Sequence, residues 1–129
     1  MLDHMTIQVR SLEATRAFCS KALAPLGYTL GFDGAIDGVA MLGFASPEKK
    51  FDTWFVEAGA AQPASGPTHI CWRAKDRMMV DAFYFAAIKA GGRDNGPPGL
   101  RPHYHANYYG AFVLDPDRNN VEAVCHEAT

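Results

Sequence analysis

The 129-residue chain has almost no net charge, few cysteines and no long hydrophobic run. Its formal charge of −2 provides none of the concentrated positive charge by which proteins hold nucleic acids. None of its apolar stretches approaches the ~20 residues that cross a bilayer. The residues from Met1 to His4 also lack the basic and apolar regions of a secretory signal. We therefore expect neither a nucleic-acid nor a membrane partner.

The three cysteines, Cys19, Cys71 and Cys125, are too few and too widely spaced for a disulfide framework. Free thiols of this kind are typical of a reducing compartment, which predicts a cytoplasmic protein. The hydrophobic content of 48% and the charged content of 20% are ordinary for one globular domain.

The sequence repeats itself at an offset of 65 residues. The segment from His4 to Ser11 returns as the segment from His69 to Asp76, and Phe18 aligns with Phe83. Self-similarity at a fixed offset indicates that each copy is one supersecondary unit. We predict one domain over 1–129, made of a first module (1–59), a linker (60–67) rich in Ala, Pro, Ser and Gly, and a second module (68–129).

The first module has the pattern of a strand, a helix and three further strands. Apolar Met5, Ile7 and Val9 alternate with polar residues, which is the period of a strand with one buried face. Ser11 is a candidate N-cap for a helix that carries apolar residues over 16–26 and closes at Gly27. Three extended stretches follow at roughly 28–33, 39–44 and 51–57, separated by turn residues.

The second module repeats this plan, and we interpret both modules as βαβββ. A strand over 69–74 precedes a helix that Asp76 caps. Next come a predicted loop at 96–99 and strands over 108–114 and 121–126, joined by an Asp-Pro-Asp turn. One such module cannot cover its own sheet, so two must pair, either within the chain or with a second subunit.

Three motifs resemble the vicinal oxygen chelate superfamily, which includes glyoxalases, bleomycin-resistance proteins and extradiol dioxygenases. They are Leu2-Asp3-His4-Met5-Thr6-Ile7, Thr68-His69-Ile70, and the run from Ala111 to Asp117 followed by Asn120-Val121-Glu122. The resemblance spans the chain and implies an α+β fold, in which two βαβββ modules form a half-open mixed β-barrel with helices outside. Arg118 departs from the family pattern, which commonly has glycine at that turn position.

The resemblance maps the family's metal ligands onto His4, His69 and Glu122. Two imidazoles and one carboxylate on one face can bind a divalent ion and leave positions open for substrate. Strand alternation places each of the three on the polar face of its strand. We expect one divalent ion (Ni, Zn, Mn or Fe), with Glu122 also moving a proton in catalysis.

A fourth ligand is less well defined by the sequence. The 65-residue offset aligns Glu57 with Glu122, and nominates Glu57 as ligand and as catalytic carboxylate. Counting six residues from the turn proline instead aligns Thr53 with Glu122. We favour Glu57, because only this side chain can ligate.

A second polar cluster precedes the penultimate strand. Its histidines can exchange protons near neutral pH, and its arginine can bind a carboxylate or phosphate. We expect this segment to contact substrate through Arg101, His103, Tyr104, His105 and Tyr109. Trp54, Trp72 and Phe112 are interpreted as core or as walls of the site, and His126 as a surface residue.

The leading hypothesis is a metal-dependent glyoxalase-type enzyme, a lyase or isomerase of the lactoylglutathione lyase type, acting on a small oxygen-chelating substrate. One alternative is a metal-independent protein of bleomycin-resistance type, which sequesters a planar ligand. A second alternative is an extradiol-type dioxygenase with iron in the same triad. The expected partners are a small-molecule substrate and a second copy of the chain.

Overall fold

The computed structural model describes residues 1–59, 64 and 66–129. Residues 60–63 and 65 of the predicted linker lie outside the described residues. The described chain forms eight strands, two α-helices and one short 3₁₀ helix (Ala24–Leu26). In chain order the strands and α-helices are β1 (Met5–Val9), α1 (Leu12–Ala22), β2 (Thr29–Ile36), β3 (Val39–Ala45), β4 (Phe51–Glu57), β5 (His69–Arg73), α2 (Arg77–Lys89), β6 (Arg93–Leu100), β7 (Tyr109–Leu114) and β8 (Asn120–Cys125).

The strands form two four-stranded mixed sheets with the same topology. Sheet one has the order β1-β4-β3-β2 and sheet two the order β5-β8-β7-β6. In each sheet the first strand pairs in parallel with the last, and the other pairs are antiparallel. The sequence repeat is therefore a repeat of structure. The two sheets stay separate among the described residues, which confirms the predicted α+β fold with a half-open barrel.

Each α-helix begins at a side-chain cap. Ser11 Oγ accepts a hydrogen bond from the backbone N–H of Ala14, and Asp76 Oδ1 accepts one from Met79. α1 starts nearer to Ser11 than predicted, and it ends at Ala22 before the 3₁₀ turn that contains Pro25. Among the described residues, no helix has both the length and the apolarity needed to cross a membrane.

β6 replaces the loop that was predicted at 96–99. The prediction was wrong because it took Pro97 and Pro98 as strand breakers. β6 is the edge strand of sheet two, where a residue without an N–H is tolerated. The pairing also shifts between Gly96 and Gly99, so both prolines fall outside the ladder.

One hydrophobic core joins the two modules. Phe18 of α1 and Phe83 of α2 pack into it together with Phe55 of sheet one and Trp72 of sheet two. The Trp72 indole N–H also donates to Thr53 Oγ1 across the boundary between the modules, at 3.3 Å. The helix-facing sides of both sheets thus share one interior. We call the opposite side of each sheet its outer face.

β1 and β5 run past each other in opposite directions. Arg10, just after β1, donates to Asp117 Oδ1 at 2.9 Å in the turn that leads to β8. At the other end of β1, Asp3 lines the groove that also contains Arg73, the last residue of β5. The starts of β1 and β5 therefore lie at opposite ends of the boundary between the modules.

Arg118 takes the left-handed backbone conformation, with φ of 66°. The turn holds it there because Asp115 Oδ1 accepts hydrogen bonds from the backbone N–H groups of Asp117 and Asn119. We expect Arg118→Gly to raise the free energy of unfolding by roughly 0.5–1 kcal/mol, since glycine adopts this conformation without steric cost. Urea denaturation measures this change. Arg93→Gly, in a strand, should instead destabilise the protein, and equal effects of the two substitutions would contradict the explanation.

Candidate metal and substrate site

His69 and Glu122 meet on the outer face of sheet two. The parallel pairing of β5 with β8 sets His69 opposite Asn120 and Cys71 opposite Glu122. His69 Nε2 lies 2.8 Å from Glu122 Oε2, and the glutamate is only 1% exposed. The imidazole and the carboxylate are thus hydrogen-bonded to each other. Both groups are common ligands of divalent ions, and here they lie side by side.

Tyr108 is the second partner of this carboxylate, because its hydroxyl donates to Glu122 Oε1. Burial, followed by the hydrogen bond to Glu122, raises the pKa of the Tyr108 phenol, so the phenol stays protonated. Tyr108 lies in the predicted polar cluster but is not among the residues predicted to contact substrate. Counting back from Phe112, which pairs with Glu122, alternation puts Gly110 and Tyr108 on the outer face and so indicates it.

Cys71 and Phe112 complete the surroundings of Glu122. Partial desolvation of the thiol by its neighbours, together with the Glu122 charge, raises the pKa of Cys71. The Phe112 ring lies 6.2 Å from the His69 ring, which makes Phe112 a wall of the site. A Cβ at Gly110 would lie 3.2 Å from Glu122 Oε1, so the position leaves room for the carboxylate.

His4 lies on the outer face of sheet one, away from His69. Its Nδ1 is 2.7 Å from Asp3 Oδ1, its side chain is 55% exposed, and it borders a shallow depression of about 190 Å³ with Trp54. Because β1 and β5 run in opposite directions, His4 and His69 are separated by about the length of β5, roughly 13 Å. Within the described part of the chain, no three His, Cys, Asp or Glu side chains are grouped closely enough to bind a metal.

The register corrects the alignment that nominated Glu57. Thr6 and Cys71 are equivalent positions of the repeat, and they pair with Trp54 and Glu122 respectively. Trp54 is therefore the counterpart of Glu122, and the offset in the last strands is 68 residues, from 54 to 122. Glu57 lies on the helix side, where its Oε1 accepts the Leu12 N–H at the start of α1. Thr53, the alternative, also faces the helices. The sheet thus separates both residues from the outer face.

The segment from Arg101 to Tyr109 divides between two surfaces. The Tyr109 hydroxyl donates to Asp81 of α2 at 2.7 Å, and the Arg77 guanidinium lies over its ring. This corrects the expectation that Tyr109 contacts substrate, because it anchors the helix on the opposite side from Glu122. Arg101 stays near the site, since its guanidinium lies 5.4 Å from the Phe112 ring centre and donates to the Pro97 carbonyl.

The remaining residues of this segment form a ring cluster around Tyr108. The rings of Tyr104, His105 and His126 lie within 4.8–5.5 Å of the Tyr108 ring, and the His103 ring lies 4.3 Å from the Tyr104 ring at a tilt of 45°. His105 Nε2 is 2.8 Å from His126 Nδ1. His126, which was expected to be a surface residue, therefore ties this segment to the end of β8.

Sheet one presents aromatic side chains where sheet two presents polar ones. The Trp54 ring lies 5.7 Å from the Phe32 ring and 5.4 Å from the Phe51 ring. Gly43 is required beneath Trp54, because a Cβ there would lie 2.7 Å from the indole. The two outer faces thus differ: that of sheet one carries an aromatic cluster beside His4 and Thr6, and that of sheet two holds the buried carboxylate.

Comparison with known proteins confirms the resemblance to the vicinal oxygen chelate superfamily. A glyoxalase/bleomycin resistance protein from Albidiferax ferrireducens T118 is 27% identical with a TM-score of 0.72, over 97% of this chain and 98% of its own. A glyoxalase/bleomycin resistance protein/dioxygenase family enzyme from Burkholderia phytofirmans PsJN is 20% identical with a TM-score of 0.72, over 98% of each chain. Glyoxalase I from Zea mays is 19% identical with a TM-score of 0.69, over 99% of this chain and 45% of its own. No protein-family model and no curated protein matches the chain.

The reactivity of Cys71 reports its contact with Glu122. In metal-free protein we expect Glu122→Gln to accelerate alkylation of Cys71 by iodoacetamide at pH 8. Removing the negative charge lowers the thiol pKa and raises the thiolate fraction. Mass spectrometry distinguishes Cys71 from the buried Cys19 and Cys125. Glu57→Gln, on the other side of sheet one, is the control, and an equal acceleration there would contradict the contact.

Proposed function

We propose that this chain is a divalent-metal-dependent enzyme of glyoxalase type, a lyase or isomerase that acts on a small substrate with two neighbouring oxygen atoms. The observation that carries the proposal is the 2.8 Å approach of His69 Nε2 to the buried Glu122 Oε2. An imidazole and a carboxylate suit Zn²⁺, Ni²⁺, Mn²⁺ or Fe²⁺ as ligands. His69 and Tyr108 compensate for the burial of this carboxylate, so a negative charge is held where a cation would bind.

The third ligand in this proposal is His4 of a second copy of the chain. The outer faces of both sheets point away from the shared core, so a single chain presents two half-sites. In a two-fold dimer, the outer face of sheet one in each chain would pack against the outer face of sheet two in the other chain. Symmetry makes this contact occur twice. The aromatic cluster beside His4 would then cover the surface around His69 and Glu122. We propose no role for Glu57 in ligation or catalysis.

The residues around the site have distinct roles in this reaction. A divalent ion held here would supply Lewis-acid stabilisation of negative charge on the substrate oxygens. Glu122 Oε2 would loosen from the ion to accept a proton from one substrate carbon and return it to the neighbouring carbon, while the hydroxyl proton passes from one substrate oxygen to the other, which balances an isomerisation. His69 and Tyr108 hold the carboxylate, and Phe112 limits the access of water on one side.

The first test is the metal content of the purified protein. We expect about one divalent ion per chain by plasma mass spectrometry, since each dimer would have two sites. His69→Ala should abolish binding, because it removes a ligand. Loaded protein is then assayed for hemithioacetal isomerisation. A wild-type protein that takes up none of the four metals would refute the proposal.

A mixed-dimer experiment tests the shared site. His4→Ala and His69→Ala chains should each lose the metal site when alone. Refolded together in equal amounts, they should recover about a quarter of the wild-type metal sites. Half of the dimers are then mixed, and each mixed dimer has one intact site and one doubly altered site.

Two results would contradict the shared site. One is a monomer in analytical ultracentrifugation with full metal content, and the other is the absence of recovery after mixing. The control mixes His69→Ala with Glu122→Gln, whose altered residues belong to the same half-site. That mixture should recover no intact site in any dimer.

The aromatic cluster on sheet one favours a second candidate function. Phe32, Phe51 and Trp54 form an apolar surface suited to a planar ligand. In that case the chain would sequester the ligand without turnover. Binding that quenches Trp54 fluorescence, persists in chelator and is lost in Trp54→Leu would support it, whereas strict metal dependence would argue against it.

A further inference from the structure

The Glu122 carboxylate is held from both sides. Oε2 faces His69, whereas Oε1 accepts the Tyr108 hydroxyl hydrogen bond. With the glutamate only 1% exposed, water has almost no access to either oxygen. The hydrogen bond from Tyr108 occupies Oε1, and Oε2 remains directed at the His69 imidazole.

Tyr108 is itself held in place by a pair of histidines. The Asn107 N–H donates to His105 Nδ1 at 3.1 Å, so that nitrogen carries no proton. His105 Nε2 then carries the proton and donates to His126 Nδ1 at 2.8 Å. The two rings lie 5.0 Å apart, and each contacts the Tyr108 ring nearly edge-on. This pair ties the segment before β7 to the end of β8.

We propose that Tyr108 is a positioning residue, which holds Glu122 so that Oε2 alone is presented to the metal, and that His105 and His126 support it. The inference rests on the proposed function and deepens it, because it assigns the group that orients the carboxylate ligand. A hydrogen bond from outside the ligand sphere restricts the rotation of a ligand and favours its charged form. Without the Tyr108 hydroxyl, Oε1 would be buried without a donor.

The test compares Tyr108→Phe with Tyr109→Phe. Each substitution removes one tyrosine hydroxyl that donates to a carboxylate, in one case to Glu122 and in the other to Asp81 on the helix side. We expect Tyr108→Phe to weaken Co²⁺ binding by 10-fold or more. Loss of a hydrogen-bond partner of a metal ligand usually lowers metal affinity by about 10–100-fold. Tyr109→Phe should bind Co²⁺ with wild-type affinity. Affinity is measured by competition with a chelator.

The visible absorption of bound Co²⁺ provides a readout that a loss of stability alone does not change. Its d–d bands depend on the ligand geometry, and we expect them to shift in Tyr108→Phe and to match the wild type in Tyr109→Phe. His105→Phe keeps an aromatic ring beside Tyr108 but removes the bond to His126. It should weaken Co²⁺ binding by a smaller factor, and it serves as the second test should Tyr108→Phe fail to fold.

The outcomes separate this inference from the proposed function. Wild-type affinity and spectrum in Tyr108→Phe, or wild-type affinity in His105→Phe where Tyr108→Phe does not fold, would overturn the positioning role and leave the metal site intact. Equal losses in Tyr108→Phe and Tyr109→Phe would also overturn it, because the effect would then be general destabilisation. A wild-type protein that binds no Co²⁺ or other divalent ion would overturn both.

Discussion

Phe18 and Phe83 occupy equivalent positions on the two helices and pack into one core that both sheets share. This packing decides which side of every strand is buried. Apolar residues such as Val9 and Trp72 face the core, so the residues that alternate with them are directed to the outer faces. His4, His69 and Glu122 all lie on outer faces for this reason. The same packing keeps His4 apart from the other two within one chain.

The outer face of sheet two carries one buried carboxylate, that of Glu122. Burying a charge is unfavourable unless partners compensate for it, and Glu122 has an imidazole on one oxygen and a phenol on the other. The neighbouring thiol of Cys71 contributes no charge, because partial desolvation and the Glu122 charge both raise its pKa. Among the described residues that surround the site, Glu122 is therefore the one strong anion. That concentration of negative charge is what a cation requires.

Much of the fold followed from local patterns. The alternation in β1 and β5, and the caps Ser11 and Asp76, depend on neighbours within a few residues, and the structure has them as predicted. Errors arose where distant contacts decide. Pro97 and Pro98 lie in a strand because β6 is an edge. Glu57 was aligned with Glu122 by a constant offset, although the second module has three more residues before its last strand.

Two βαβββ modules and the polar side of the strands that carry His4, His69 and Glu122 could be inferred from the chain, because alternation and repetition are local properties. The family resemblance then nominated these three residues as candidate ligands. That Tyr108 rather than Tyr109 meets Glu122, and that Glu57 caps a helix, depends on contacts between distant elements. The tertiary structure also decided that His4 lies on a separate surface. Register and module packing set these contacts, and a shift of one residue reverses the face that a side chain occupies.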